Sequence, residues 1–256
     1  MHHVQIDRLS FQDSPIHRLD GRVKLIATVI FSVCVISLPP VLVSILACYI
    51  IWPFAIITIA HLPLKFVLKQ LLIVSPFIAV FALSSIWYDR TPIAVSFGPV
   101  QWQTTNGILR CFSIMGKFIV TMTALISLVA TTRFADLLAA MSKLAVPKLL
   151  IIQLGFLHRY IFVLTEKAHR IIRARQGRKL RNLGAKQELK TAAAMIGTLC
   201  VSSIDSASRI NISMQARGFK GDLRTMSKMK TKTADWFYVA ALIVFLAIMY
   251  FIRTTY

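Results

Sequence analysis

Long apolar runs separated by short polar connections mark out most of the chain. Val23 to Leu38 and Val41 to Ala60, with Pro39 and Pro40 between them, predict two antiparallel helices near the ~20 residues that a bilayer requires. Phe66 to Trp87 predicts a third span, with Lys69 and Gln70 near its start and Pro76 inside it, which neighbouring helices can accommodate. Asn106 to Ala130 predicts a fourth, carrying Arg110 near its start and Lys117 further along. Trp236 to Ile252 predicts the last, with Trp236, Tyr238 and Tyr250 placed for an interfacial aromatic belt.

Between the fourth and last runs the pattern changes from continuous apolarity to helical periodicity. Ile161, Leu164, Ala168 and Ile171 step by three and four, as do Ile196, Leu199, Ser203, Ala207, Ile210 and Met214. Two amphipathic helices are implied, about His158 to Leu180 and Leu189 to Ala216, joined by the polar stretch Arg181 to Lys186 with Gly184 as punctuation. A shorter helix is expected over Phe134 to Leu144, with Thr131 and Thr132 as caps and Val146-Pro147 beyond its end. Lys148 to Leu164 is apolar enough to raise a sixth, shallow span. The expected fold is all-α and polytopic, with about five transmembrane helices. It divides into an N-terminal segment (1–22), a four-helix membrane region (23–130), a basic domain of amphipathic helices (131–234) and a C-terminal span (235–256).

Charge gives the spans a direction. The 30 Lys and Arg against 10 Asp and Glu leave a formal charge of +20, and twenty of those thirty cations lie between Arg133 and Lys232. The Pro39-Pro40 turn has none, and Asp89 to Thr105 has only Arg90. By the positive-inside rule the amino terminus and the large basic segment are cytoplasmic, and five spans leave the carboxyl terminus outside. Such an excess calls for anionic lipid or an acidic protein partner; nucleic acid is not expected. A mean hydropathy of +0.67 exceeds what a water-soluble core of this size needs, so a multi-pass protein of the cell (inner) membrane is expected.

Cys34, Cys48, Cys111 and Cys200 sit in apolar stretches without CxxC spacing and are expected to be buried small hydrophobes. The acidic and basic mixture from Met1 to Asp20 predicts no cleavable signal peptide. Met1-His2-His3 could chelate copper or nickel, whereas His61, His158 and His169 lack ligand spacing, so no metal site is assigned.

There is no GxxxxGK[ST], HExxH or GxSxG, so nucleotide hydrolysis and the commonest hydrolase chemistries are not expected of this chain. Only Asp89 and Asp235 fall near a membrane face and no acid falls in mid-span, which argues against an ion-coupled relay. Two triplets near the ends of the long polar helices remain: Ala174-Arg175-Gln176 and Ala216-Arg217-Gly218. Each could present a guanidinium to carboxylates or helix-end carbonyls of a partner, although an ordinary solvated Arg is the commoner meaning of such a triplet.

These triplets, the opening Ser14-Pro15-Ile16-His17-Arg18-Leu19-Asp20-Gly21-Arg22-Val23-Lys24 and the stretch Phe156-Leu157-His158-Arg159-Tyr160-Ile161-Phe162-Val163-Leu164 together resemble the transmembrane T component of energy-coupling-factor transporters. The resemblance runs over nearly the whole chain and is nearest to the cobalt-type member, which works beside a cobalt-binding subunit and two copies of an ATPase. It implies a non-enzymatic coupling subunit of an importer that links ATP hydrolysis by two separate ATPases to a substrate-binding (S-type) membrane subunit, with or without a small accessory membrane subunit. It further implies that Ala174, Arg175, Gln176 and Ala216, Arg217, Gly218 dock the ATPases. ATP and Mg would be held by those partners, and this chain would bind no cofactor. The second triplet has the family's usual Ala-Arg-Gly form. The first carries Gln176 where glycine is common, and Gly21 stands where proline is usual. Three other functions stay open: a free-standing secondary transporter, a T component serving a vitamin or nickel, and a membrane enzyme, for which no polar catalytic cluster is found.

Overall fold

A computed structural model of the chain describes residues 14–39, 43–88, 92–97, 100–144, 146–178, 184–219, 221 and 233–255. Nine helices and a β-hairpin occupy the described residues: α1 (Gly21–Ile36), α2 (Val43–Tyr49), α3 (Ile51–Ile59), α4 (Leu64–Tyr88), β1 (Pro92–Phe97), β2 (Val100–Thr105), α5 (Asn106–Thr131), α6 (Phe134–Lys143), α7 (Lys148–Arg178), α8 (Ala185–Ala216) and α9 (Thr233–Thr255). They fall into two compact units, one of residues 1–140 with 227–256 and one of residues 141–226. The chain is a helical membrane protein. By length and composition α4, α5, α7 and α9 are each able to cross a bilayer.

The first predicted span keeps its length but starts and ends two residues earlier, and the second is interrupted. α1 has 16 residues, roughly 24 Å at the helical rise, against a hydrocarbon core of about 30 Å. The second run is broken into α2 and α3 around Ile50, and Pro53 explains the break. Its ring collides with the carbonyl four residues earlier, at Tyr49, and it has no N–H to offer that carbonyl. Pro76 has no such effect on α4, because the Ser75 hydroxyl donates to the Leu72 carbonyl that the proline leaves unpaired (3.1 Å). The connection after α4, read from the sequence only for its low charge, holds an antiparallel strand pair in the register Pro92 to Thr105 through Phe97 to Val100.

In the first unit α5 is the central post, in contact with α1, α2, α3 and α4. Phe31 and Val35 of α1, Leu46 and Tyr49 of α2, Val120 and Ala124 of α5 and Leu242 of α9 form one buried cluster. Ile56, Ile57, Val67, Ile126 and Ala130 form a second. Trp52 borders both and stacks obliquely on Tyr238 and Phe245, at centroid separations of 5.7 and 5.5 Å. The opposite character appears on α4, where Phe77, Val80 and Trp87 lie more than 70% exposed, as a helix facing acyl chains would. α3 ends in His61 at φ 52°, with the N–H of Leu62 on the Ile57 carbonyl, so this histidine serves as a left-handed helix cap. Thr131 does not cap α6 as expected. Its hydroxyl bonds back to Ser127 within α5, and the buried Thr132 hydroxyl has no partner among the described residues.

Candidate functional site

The second unit is built on two long helices, α7 and α8, that run antiparallel. Lys167 of α7 donates to the Ser202 carbonyl and the Ser206 hydroxyl of α8, both at 3.2 Å, and Arg175 near the end of α7 faces Glu188 in the first turn of α8. α7 begins ten residues before the expected His158, because Lys148 to Leu157 continues the helix behind Pro147. A cavity of about 530 Å³ opens between the two helices, lined by Phe156, Tyr160 and Leu164 on one side and Ile210, Met214 and Phe219 on the other. On α8 the stripe read from periodicity (Ser203, Ala207, Ile210, Met214) lines this cavity. On α7 the lining is Tyr160, Val163, Leu164 and Lys167, and Ile161 points away, 40% exposed.

The antiparallel arrangement separates the two arginine triplets. Ala174, Arg175 and Gln176 lie in the last turns of α7, beside the start of α8. Arg217 caps the far end of α8, roughly 40 Å away along that helix. Its surroundings follow from local sequence. The N–H of Gly218 donates to Gln215 (2.9 Å) and that of Phe219 to Met214 (3.0 Å), a helix stop that needs a left-handed residue, and Gly218 at φ 76° supplies it. Phe219 and Met214 share the cavity wall, the apolar contact that usually accompanies this stop. Ala216, Arg217 and Gly218 are all exposed, so the Arg217 side chain stands beyond the last turn with small neighbours on both sides.

Arg175 is held differently. Its side chain is only 25% exposed, the Glu188 carboxylate is 3.9 Å from Nη2, and among the described residues no acceptor hydrogen-bonds that buried nitrogen. The expectation of a freely exposed guanidinium therefore holds for Arg217 and not for Arg175. Ala174 and Gln176 are exposed beside it, and α7 continues through Gly177 to Arg178, so the first triplet does not end its helix.

Lys117, whose charge the sequence left unexplained, donates to the carbonyls of Ile36 (3.0 Å) and Leu38 at the end of α1. It is a helix cap supplied from a neighbouring span. Met1-His2-His3 lies outside the described residues, and no group of three or more potential metal ligands occurs among those described. Cys200 is exposed rather than buried, whereas Cys34, Cys48 and Cys111 are half-buried. Sequence reasoning missed one constellation altogether, the buried Lys24 with Asp20 and Asp235 around it. A lysine one place inside an apolar run, four residues after an aspartate, was the signal available.

The EcfT transmembrane protein of energy-coupling-factor transporters in Bacillus subtilis is 26% identical over 252 residues, 94% of each chain. Its counterpart in Leuconostoc gelidum is 27% identical over 270 residues, covering 99% of this chain and 98% of that one. The cobalt transport protein CbiQ of Rhodobacter capsulatus is 31% identical over 100 residues, 39% of this chain and 41% of that one. The family model described as CbiQ, cobalt transport protein, matches residues 12–229, which takes in the opening segment, α1 to α8 and both arginine triplets. With a match of that extent over a helical membrane fold, the chain belongs to the CbiQ family of cobalt transport proteins.

Proposed function

We propose that this protein is the coupling subunit of an energy-coupling-factor importer, in which two ATPase subunits dock on Arg175 and Arg217 and a separate membrane subunit binds the substrate. The observation that carries this reading is the placement of the two arginine triplets at opposite ends of one antiparallel helix pair. Two copies of an ATPase need two equivalent footholds far enough apart to be engaged together, and roughly 40 Å of α8 gives that spacing. The Nη2 of Arg175 supports it, because among the described residues it has no hydrogen-bond acceptor and can take an incoming carbonyl or carboxylate. Cobalt is the proposed cargo, on the strength of the family. ATP and Mg belong to the partners, and the chain works as a binding scaffold and not as an enzyme.

Purification through a tag on this chain, co-expressed with ATPase and substrate-binding subunits, tests the proposal. Both ATPases should be recovered with it, and recovery of the chain alone would refute docking. The orientation has its own test. With the amino terminus and the second unit in the cytosol, a cysteine at Gln101 in β2 should react with an impermeant thiol reagent added outside. One at Gln187 in the first turn of α8 should react only after the membrane is opened, and labelling of both from one side would contradict the orientation.

A further inference from the structure

Among the described residues of the first unit, Lys24 is, with Asp235, the most heavily buried charge, 3% exposed and one turn into α1. Its ammonium donates to the Thr131 carbonyl at the end of α5 (2.9 Å) and reaches the His17 carbonyl at 3.5 Å. The carboxylates of Asp136, Asp235 and Asp20 lie near enough to act on its charge. Asp20 caps α1 by accepting from the Arg22 N–H (3.0 Å), and its own N–H donates to Asp235 Oδ1 of α9 (2.9 Å). Both aspartates are buried, and among the described residues Asp20 Oδ2 has no hydrogen-bond partner. Gly21 completes the contact, since a Cβ there would stand 3.3 Å from the Asp136 carbonyl oxygen in the first turn of α6.

The connectivity gives this cluster its meaning. The chain leaves the first unit for residues 141–226 through α6 and comes back into it at α9. Both crossings meet the start of α1 at their membrane-unit ends: Lys24 holds the Thr131 carbonyl where α5 hands over to α6, the Asp136 carbonyl of α6 lies against Gly21, and α9 is joined through Asp235 to the N–H of Asp20. Burying a lysine and carboxylates together is a poor source of stability compared with apolar packing, so a charged knot at this place is better explained by fixed geometry. We infer that Lys24 and Asp235 are positioning residues that clamp both chain connections of the arginine-bearing unit to the first span, so that movement of that unit is passed to the membrane helices. The inference rests on the coupling reading above.

The test uses the full complex with its ATPases and substrate-binding subunit, and reads ATPase recovery, ATP hydrolysis and uptake separately. Lys24→Met should leave both ATPases bound and hydrolysing, while uptake per ATP falls about tenfold, the size of an ordinary coupling energy. Asp235→Asn keeps an acceptor for the Asp20 N–H and removes only charge, so it should insert normally and lower the same ratio about threefold; it decides alone if Lys24→Met does not assemble. An unchanged ratio in the assembled variants, with uptake and hydrolysis falling only in step with the amount of complex, overturns the clamp and leaves a structural role. Failure of the docking reading would look different, as ATPases absent from the unaltered complex.

Discussion

Arg217→Ala is expected to release an ATPase subunit. A guanidinium that engages a carboxylate or helix-end carbonyl in a desolvated groove leaves that partner group unpaired when truncated, at a cost of roughly 2–5 kcal/mol, a fall in affinity of about 30-fold or more. Arg217 is exposed beyond the last turn of α8 with no side-chain partner among the described residues, so it has less to surrender on docking and its removal should register in full. Arg175→Ala should cost less, because docking must first draw Arg175 from Glu188. That part-exposed pair at 3.9 Å is itself worth less than about 1 kcal/mol. The double change should abolish ATPase recovery while the protein still inserts in the membrane. Lysine at either place should restore only part of the affinity, since it carries the charge without the planar fork. Lys186→Ala, in the same basic segment but outside both triplets, should be nearly silent. Binding titrations of ATPase to the purified variants check all of this, and an equal loss from Lys186→Ala would mean that diffuse charge holds the partner.

Lys117→Met should destabilise the membrane unit by roughly 3 kcal/mol, the loss of two charge-assisted hydrogen bonds to helix-end carbonyls. α1 is short and is followed by prolines, so its final carbonyls have no continuing helix to pair with, and the ammonium from α5 takes that place. Thermal unfolding of the purified protein should show the loss, and Lys117→Arg should recover most of it. Equal Tm values for Lys117→Met and the unaltered protein would mean that those carbonyls find other partners. A transport defect with unaltered stability would make Lys117 a functional charge of the fourth predicted span.

What the sequence made legible followed from single-element physics. Uninterrupted apolarity located α4, α5 and α9 to within three residues at each end, periodicity located α8, and the flanking threonines and Val146-Pro147 located α6. The break at Ile50 was readable in principle from Pro53, but a proline inside an apolar run has two outcomes. Whether a nearby hydroxyl such as Ser75 covers the freed carbonyl decides between them, and that depends on how the side chain turns. The strand pair was missed because each strand is only six residues long and neither is marked by a long apolar alternation. Of the candidate site, the positions of Arg175 and Arg217 were legible and their difference was not. Only the pairing of α7 with α8 brings Glu188 beside one of them. The Lys24 cluster was the hardest to foresee, since Asp20, Asp136 and Asp235 are more than 200 residues apart at their extremes and meet only when α1, α6 and α9 are assembled.

The central claim is that this chain couples ATP hydrolysis to import and is not itself a carrier, and proteoliposomes test it most directly. Cobalt accumulation should require ATP, both ATPases and the substrate-binding subunit together with this chain, and should stop when any one is left out. Cobalt accumulation by this chain alone, driven by an ion gradient without ATP, would contradict it.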